Sequence, residues 1–233
     1  TLNKAEATKD KMQYHLRLNP GDVGKYVLLP GDPDRVLRIS RHLDNVREIV
    51  FHREYRTCSG VYKGIKISAT STGIGCPSAS IAVEELANIG ATHFVRVGST
   101  GALQPEIQTG DVIINTASMR NEGTTRFYVP DGFPAVADHF LTHALIDAGR
   151  ELCDNNDYRL HIGLNAIDDA FYGETPDWIE MLSKHKLLNV EMESAAILSI
   201  AHMRGLKAAM ICGVAGNLVT ADVEYESENT RLT

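Results

Sequence analysis

The stretch from Lys66 to Gly98, KISATSTGIGCPSASIAVEELANIGATHFVRVG, decides how the rest of the chain is read. It opens on a short run, Lys66–Thr70, and passes a glycine-rich turn into Pro77–Ile89 (PSASIAVEELANI). Proline at the start of that segment and Gly90 just past its end form the favoured helix asymmetry: a first turn has no use for the missing N–H, and glycine accepts a left-handed cap. His93–Gly98 (HFVRVG) then reads as a second buried strand, apolar except for one arginine. A strand–helix–strand unit of this kind joins parallel neighbours.

The alternation continues outward from this unit. Tyr26–Pro30 (YVLLP), Asp111–Thr116 (DVIINT), His161–Ala166 and Ala208–Val214 (AAMICGV) are further short apolar runs bounded by turn residues. Phe140–Cys153 and Glu191–Arg204 read as further helices, the second followed by Gly205. Strands alternating with helices of about a dozen residues predict an α/β sandwich with a largely parallel sheet. No repeat, low-complexity tract or Pro/Ser-rich linker divides the chain, so residues 1–233 read as one domain.

Composition narrows the function. The 233 residues are 43% hydrophobic, 23% charged and 6% aromatic, which excludes disorder, collagen-like repetition and small disulfide scaffolds. No apolar run approaches the roughly 18 residues of a membrane helix, and Thr1–Asp10 is polar, so a cytoplasmic protein without membrane partners is expected. A net charge of −7, from 23 Lys plus Arg against 30 Asp plus Glu, argues against a nucleic-acid binder. Any phosphate must then be held by a few placed cations rather than a general field. Cys58, Cys76, Cys153 and Cys212 show no C-x-x-C spacing and read as inert thiols of a reducing compartment, with no zinc site or disulfide framework.

In an α/β sheet, ligands sit beyond the carboxyl ends of the strands, and the loops there carry the unusual residues. Pro30-Gly31-Asp32-Pro33-Asp34-Arg35 places a glycine directly after a strand and a cation one turn on. It fits either a plain strand–helix turn or an anion site, where a bare backbone N–H can approach closely. In Arg96-Val97-Gly98-Ser99-Thr100-Gly101 the arginine lies within an apolar strand, where an unpaired charge is expensive. Arg96 therefore requires a carboxylate partner or an anionic ligand. Ser71–Ser78 (STGIGCPS) can form an anion nest at a helix start or a simple connection. Asn189 reads as the cap of a helix opening Glu191-Met192-Glu193-Ser194, whose acids would offset the macrodipole.

Taken together, these segments resemble the nucleoside phosphorylase family of the purine/uridine type. Residues 71–81 (STGIGCPSASI), continuing to Glu85-Leu86, match its long diagnostic pattern at every constrained position. The GDPDR loop, His52-Arg53-Glu54-Tyr55, RVGSTG, FPAVAD (Phe133–Asp138), DAFYG (Asp169–Gly173) and EMES match in the same order along nearly the whole chain. The resemblance implies a three-layer α/β/α sandwich around a mixed, partly barrel-like central sheet. It also implies dimers, commonly three to a hexamer, whose active sites are completed by the neighbouring subunit. Phosphate would be held by the Gly31 N–H, Arg35, Arg96 and Ser99, with Arg53 reaching in from the partner. Ribose would meet Ser99, Met192 and Glu193, and His15 of the neighbour at the 5′-hydroxyl. The base would lie against Thr100, Gly101, Phe171 and Glu191, and Arg35, Arg96 and Glu193 would carry the catalytic work.

The implied reaction is attack of inorganic phosphate on C1′ of a nucleoside, through an oxocarbenium-like transition state. It releases free base and ribose 1-phosphate with no organic cofactor. Glu54 and Ser78 would hold a monovalent cation, K+, between subunits.

The match departs at the base pocket. Uridine-cleaving members follow DxFY with a glutamine and an arginine that read the uracil edge. Here Gly173-Glu174-Thr175-Pro176-Asp177-Trp178 follows instead, in a shortened segment. A glutamate there can accept from a ring N–H but cannot donate to a carbonyl when ionised. Purine-cleaving members place an aspartate after the strand matching Ala208–Val214, where this chain has Gly213-Val214-Ala215-Gly216-Asn217. Ser99 favours purines, whereas FPAVAD and DAFYG favour uridine, so uridine is the expected substrate and a purine nucleoside the alternative. Retained Arg35, Arg53 and Arg96 argue against a nucleoside hydrolase, and a non-catalytic nucleoside binder is the remaining reading. The family's terminal helix finds no match after Glu228-Asn229-Thr230.

Overall fold

The computed structural model describes Lys9 and residues 11–153 and 157–221; the expectation about a terminal helix lies outside the described residues. The strands are β1 (Tyr26–Pro30), β2 (Asp44–His52), β3 (Tyr55–Tyr62), β4 (Ile65–Thr70), β5 (His93–Ala102), β6 (Val112–Met119), β7 (Ala135–Val136), β8 (Leu160–Ile167), β9 (Asn189–Glu191) and β10 (Lys207–Asn217). The helices are α1 (Pro33–Ser40), α2 (Cys76–Asn88), α3 (His139–Cys153), α4 (Pro176–Lys184) and α5 (Ser194–Met203).

One sheet runs β10-β6-β8-β9-β5-β1-β4-β3-β2, with β7 on β6. Strand β10 also pairs with β5, closing a ring of β5, β10, β6, β8 and β9. The sheet is mixed. Crossovers through helices give the parallel pairs β1–β4, β1–β5 and β10–β5. Antiparallel pairs come from the β2–β3–β4 meander and from ring closure at β6–β10 and β5–β9. The sheet is thus less parallel than the residue pattern alone predicted. That pattern missed β2 and β3: β2 (DNVREIVFH) is exposed from Asp44 to Glu48, and its only apolar run, Ile49-Val50-Phe51, is followed by the polar His52-Arg53-Glu54 rather than by turn residues. The β3–β4 turn does carry a local signal: Lys63 and Gly64 both take positive φ, 49° and 81°, the backbone of a tight hairpin.

Alternation along the open half of the sheet assigns its layers. On β1, Val27 and Leu29 face a core shared with α2 and α5, including Leu86, Ile197 and Ile200. Leu28, between them, packs on the opposite face with Val36, Leu37 and Ile39 of α1. Helix α3 packs against β6, β8 and β10, while α4 sets Leu182 against Leu103, Ala166 and Val190. Helices therefore cover both faces of the sheet.

The expected helix over Glu191–Arg204 is corrected at its start. Asn189–Glu191 form β9, and α5 begins at Ser194. Asn189 does not cap a helix. Its amide donates to Thr100 Oγ1 at 2.9 Å and to Asn115 Oδ1 at 3.2 Å, and its carbonyl accepts from Asn115 at 2.7 Å. These bonds bind β9 across the ring. The carboxylate of Glu191 serves the helix start instead, accepting from the Ser194 N–H at 3.0 Å. All four cysteines are free thiols, and Cys58, Cys76 and Cys212 are buried. Among the described residues, no helix is long and apolar enough to cross a membrane.

Candidate active site

The loops after β1, β4, β5 and β9 converge on a cavity of about 750 Å³. Gly31 enters from the β1–α1 turn and Arg35 from the first turn of α1, while Arg96 comes from within β5 and Ser99, Thr100 and Gly101 from its carboxyl end. Glu191, Met192 and Glu193 come from β9 and the residues before α5. Phe171 arrives on a 3-10 turn, and Glu54 and Ser78 come from the β2–β3 turn and α2. Loops far apart in sequence thus bring most of the expected site residues to one place.

Arg96 sits at the centre. It is 4% exposed, its Nε donates to Glu191 at 2.7 Å, and its Nη2 donates to Glu193. It therefore has carboxylate partners, and yet its Nη1 is buried with no partner among the described residues. That nitrogen lies beside Gly31, 3.9 Å from where a Cβ would stand. Arg35 repeats the pattern: Nη1 donates to the Val97 carbonyl at 3.1 Å, while the buried Nε is unpaired. Buried N–H groups without acceptors are costly and rare in folded proteins. Arg35 and Arg96 both line the cavity, and each carries one such group among the described residues. Burial, and after it the charge of Arg96, lowers the pKa of Arg35, a mutual repulsion that an anion would relieve.

Two carboxylates share the single Arg96 charge, and they divide it unequally. Burial would raise Glu191, but Arg96 and the Ser194 hydroxyl and N–H outweigh it and hold that group low. Glu193 is raised, to about 7, by burial against the opposing pull of Arg96, and Glu191 pushes it further. For Arg96 burial works against the charged form, but Glu193 and Glu191 prevail and raise it.

The Ser71–Ser78 turn resolves its two readings in an unexpected way. Gly75, at φ 89°, is the residue before α2, and its N–H donates to Glu193 Oε1 at 2.6 Å. A positive φ there favours glycine. The nest is filled by the protein's own carboxylate, held at the positive end of a helix.

Other expected residues stand differently from one another. Glu191 lines the cavity, but its carboxylate is taken up by Arg96, Asn165, Ser194 and the Glu193 N–H, so it buttresses Arg96 and is not free for a base. The Thr100 hydroxyl is likewise committed, donating to the Val190 carbonyl at 2.6 Å. Ser78 Oγ donates to Glu54 at 2.9 Å, which sets these two oxygens side by side. His15 and Arg53 do not line this cavity. Arg53 is exposed at the β2–β3 turn with φ 58°. The His15 ring, 32% exposed, is anchored through Nδ1 to Glu85 at 2.6 Å. Asn217, which occupies the purine aspartate's region, is buried and donates to the Gln104 and Ile107 carbonyls, both at 2.8 Å. Glu174, which the sequence offers only as a candidate acceptor for a base, and Leu218, which it does not single out, also line the cavity.

Comparison with known proteins identifies the family. A family model described as the phosphorylase superfamily matches residues 25–232. A uridine phosphorylase of Thermococcus kodakarensis is 50% identical, over 91% of this chain and 80% of that protein. A guanosine phosphorylase of Halorubrum lacusprofundi is 40% identical, over 94% of this chain and 90% of that protein. The crystal structure of uridine phosphorylase from Vibrio fischeri superposes with a TM-score of 0.82 at 37% identity, covering 89% of this chain and 85% of that one. With the match spanning the whole described fold and its cavity loops, this chain belongs to the phosphorylase superfamily.

Proposed function

We propose that this protein is a pentosyltransferase that cleaves uridine with inorganic phosphate to uracil and ribose 1-phosphate. The observation that carries the reading is the pair of guanidinium N–H groups without a partner among the described residues, on Arg96 and Arg35, two arginines that line one cavity together with Gly31 and Glu193. Phosphate seated there, with Ser99 at its edge, faces the sugar carbon it attacks. Glu193 accepts from the ribose hydroxyls and Met192 packs on the ring. Holding both reactants in contact removes the entropy of bringing them together. Arg96 and Arg35 keep the dianion in place as positive charge develops at C1′. Phe171 supplies a flat apolar surface for the base.

His15 and Arg53 act in the neighbouring subunit's cavity, so the working unit is a dimer, assembled further into a hexamer. Glu54 and Ser78 are hard oxygen donors of the type that suits a monovalent cation. Such an ion sits where two copies meet. The free thiols suit a reducing cytoplasm, and the reaction suits nucleoside catabolism and salvage.

A purine substrate is the second reading, favoured by the 40% identical guanosine phosphorylase. The commitment of Asn217 to backbone carbonyls weighs against it, since no acid on that strand stands ready for a purine leaving group. The test is incubation with uridine and with guanosine, with and without phosphate, following free base and ribose 1-phosphate. Phosphate-dependent uracil release is expected. Release without phosphate would make the protein a hydrolase, and binding without turnover a sensor.

A further inference from the structure

Resting on the reading above, we propose that Glu174 is the residue that reads the base, its carboxyl facing the ring N–H and adjoining carbonyl of an imide edge such as that of uracil. Three observations place it there. Glu174 follows directly on the 3-10 turn Phe171–Gly173. In that geometry residues three apart eclipse one another, so Phe171 and Glu174 share one side of the turn. Both line the cavity, whereas Tyr172 between them is 98% exposed.

Second, residues 169–177 are exposed at every position except Glu174, which is half-buried. An ionisable side chain turned inward from an otherwise solvated segment requires a reason. Third, its carboxyl makes no hydrogen bond among the described residues, unlike those of Glu191 and Glu193, which each accept from protein donors. Its carboxyl is thus open to a ligand in the cavity.

The chemistry selects the ligand class. A neutral carboxyl presents one donor and one acceptor, the complement of a carbonyl beside a ring N–H. Burial, and after it the nearby Asp168 carboxylate, raises the pKa of Glu174 and so favours that form. One side chain thus takes the place of the glutamine and arginine that this chain lacks.

The test compares kcat/KM for uridine and 3-methyluridine, with saturating phosphate, in the unsubstituted enzyme, Glu174→Ala and Glu174→Gln. Methylation removes the ring N–H that the carboxyl would accept from. The unsubstituted enzyme should prefer uridine by about tenfold or more, the scale of one polar group left unpaired in a pocket. Glu174→Ala should bring the two substrates within about threefold of each other, mainly through KM for uridine. Glu174→Gln should recover most of the preference, because an amide also donates and accepts. The KM for phosphate is the control, since a general defect in folding would move it as well. A preference that survives in Glu174→Ala overturns the proposal. No uracil release by the unsubstituted enzyme overturns the uridine reading itself, a result recognisable before any variant is made.

Discussion

The two ends of the cavity are built in different ways. At the inner end, Arg96, Glu191 and Glu193 are each about 5% exposed or less, sit within β5, at the end of β9 and just before α5, and are tied by hydrogen bonds to Gly75, Asn165 and Ser194. At the outer end, Phe171 is 46% exposed on a three-residue turn, and Glu174 beside it is half-buried with no hydrogen bond of its own. Under the proposed function, the inner end handles phosphate and sugar, which every phosphorolysis of a nucleoside shares, and the outer end meets the base, which varies. On that reading, chemistry common to all substrates is anchored in the sheet, and discrimination is left to a lightly held turn.

The comparison breaks most severely at Arg96. Arg96→Ala should lower kcat/KM by about 10³-fold, the scale of losing a preorganised charge contact, and abolish saturation by phosphate. It should also destabilise the fold by about 3–5 kcal/mol, because two buried carboxylates lose their cation. Initial rates against phosphate concentration and a denaturant titration check both, and an unchanged phosphate dependence would refute the inner-end assignment.

Glu193→Gln should reduce kcat/KM for uridine by about 10²-fold, as a charge-assisted acceptor becomes neutral. The sign of the pH effect follows from the raised pKa of Glu193, about 7. The carboxylate that accepts from ribose dominates only above that pH. KM for uridine at saturating phosphate should therefore rise as the pH falls through neutrality, and Glu193→Gln should flatten that slope. A native profile that stays flat would show that Glu193 does not bind sugar in its ionised form.

Arg53→Ala should raise KM for phosphate by about tenfold and leave thermal stability unaltered, since an exposed turn loses only a charged contact. Mixing and reassembling Arg53→Ala with Arg96→Ala chains should then yield more activity than the average of the two, because some cavities would receive both arginines intact. A mixture no better than its components would confine each cavity to one chain. The smallest effect is expected at the outer end. Phe171→Ala should raise KM for uridine by about three- to tenfold through lost stacking, while KM for phosphate stays put.

Legibility in the sequence follows the same division. Strand β1 has the predicted bounds, Tyr26–Pro30, and α2 differs from the expected helix by one residue at each end. Apolar runs punctuated by proline and glycine carry their own boundaries. Arg96 was readable as an anomaly because a charge inside HFVRVG demands an explanation, and the structure supplies two carboxylates as well as a free nitrogen. Asn189 and Glu191 were misread because their partners, Thr100, Asn115 and Arg96, lie about 75 to 95 positions away. A local rule sees an asparagine before acids and infers a cap, and only ring closure makes it a strand. Glu174 is readable in the sequence as a candidate acceptor for the base, but not as a cavity-lining residue, for a related reason. Its inward turn depends on the 3-10 geometry, which no periodicity in GETPDW announces.

Closure of β10 onto β5 has one more consequence. A hoop of staves keeps its tension when the fringe hanging from its rim is trimmed or lengthened, and the stretch from Phe171 to Thr175 lies outside the hoop. Insertions and deletions there can remake the mouth for a different leaving group while the cleaving machinery keeps its shape, giving this architecture a cheap route to new tastes.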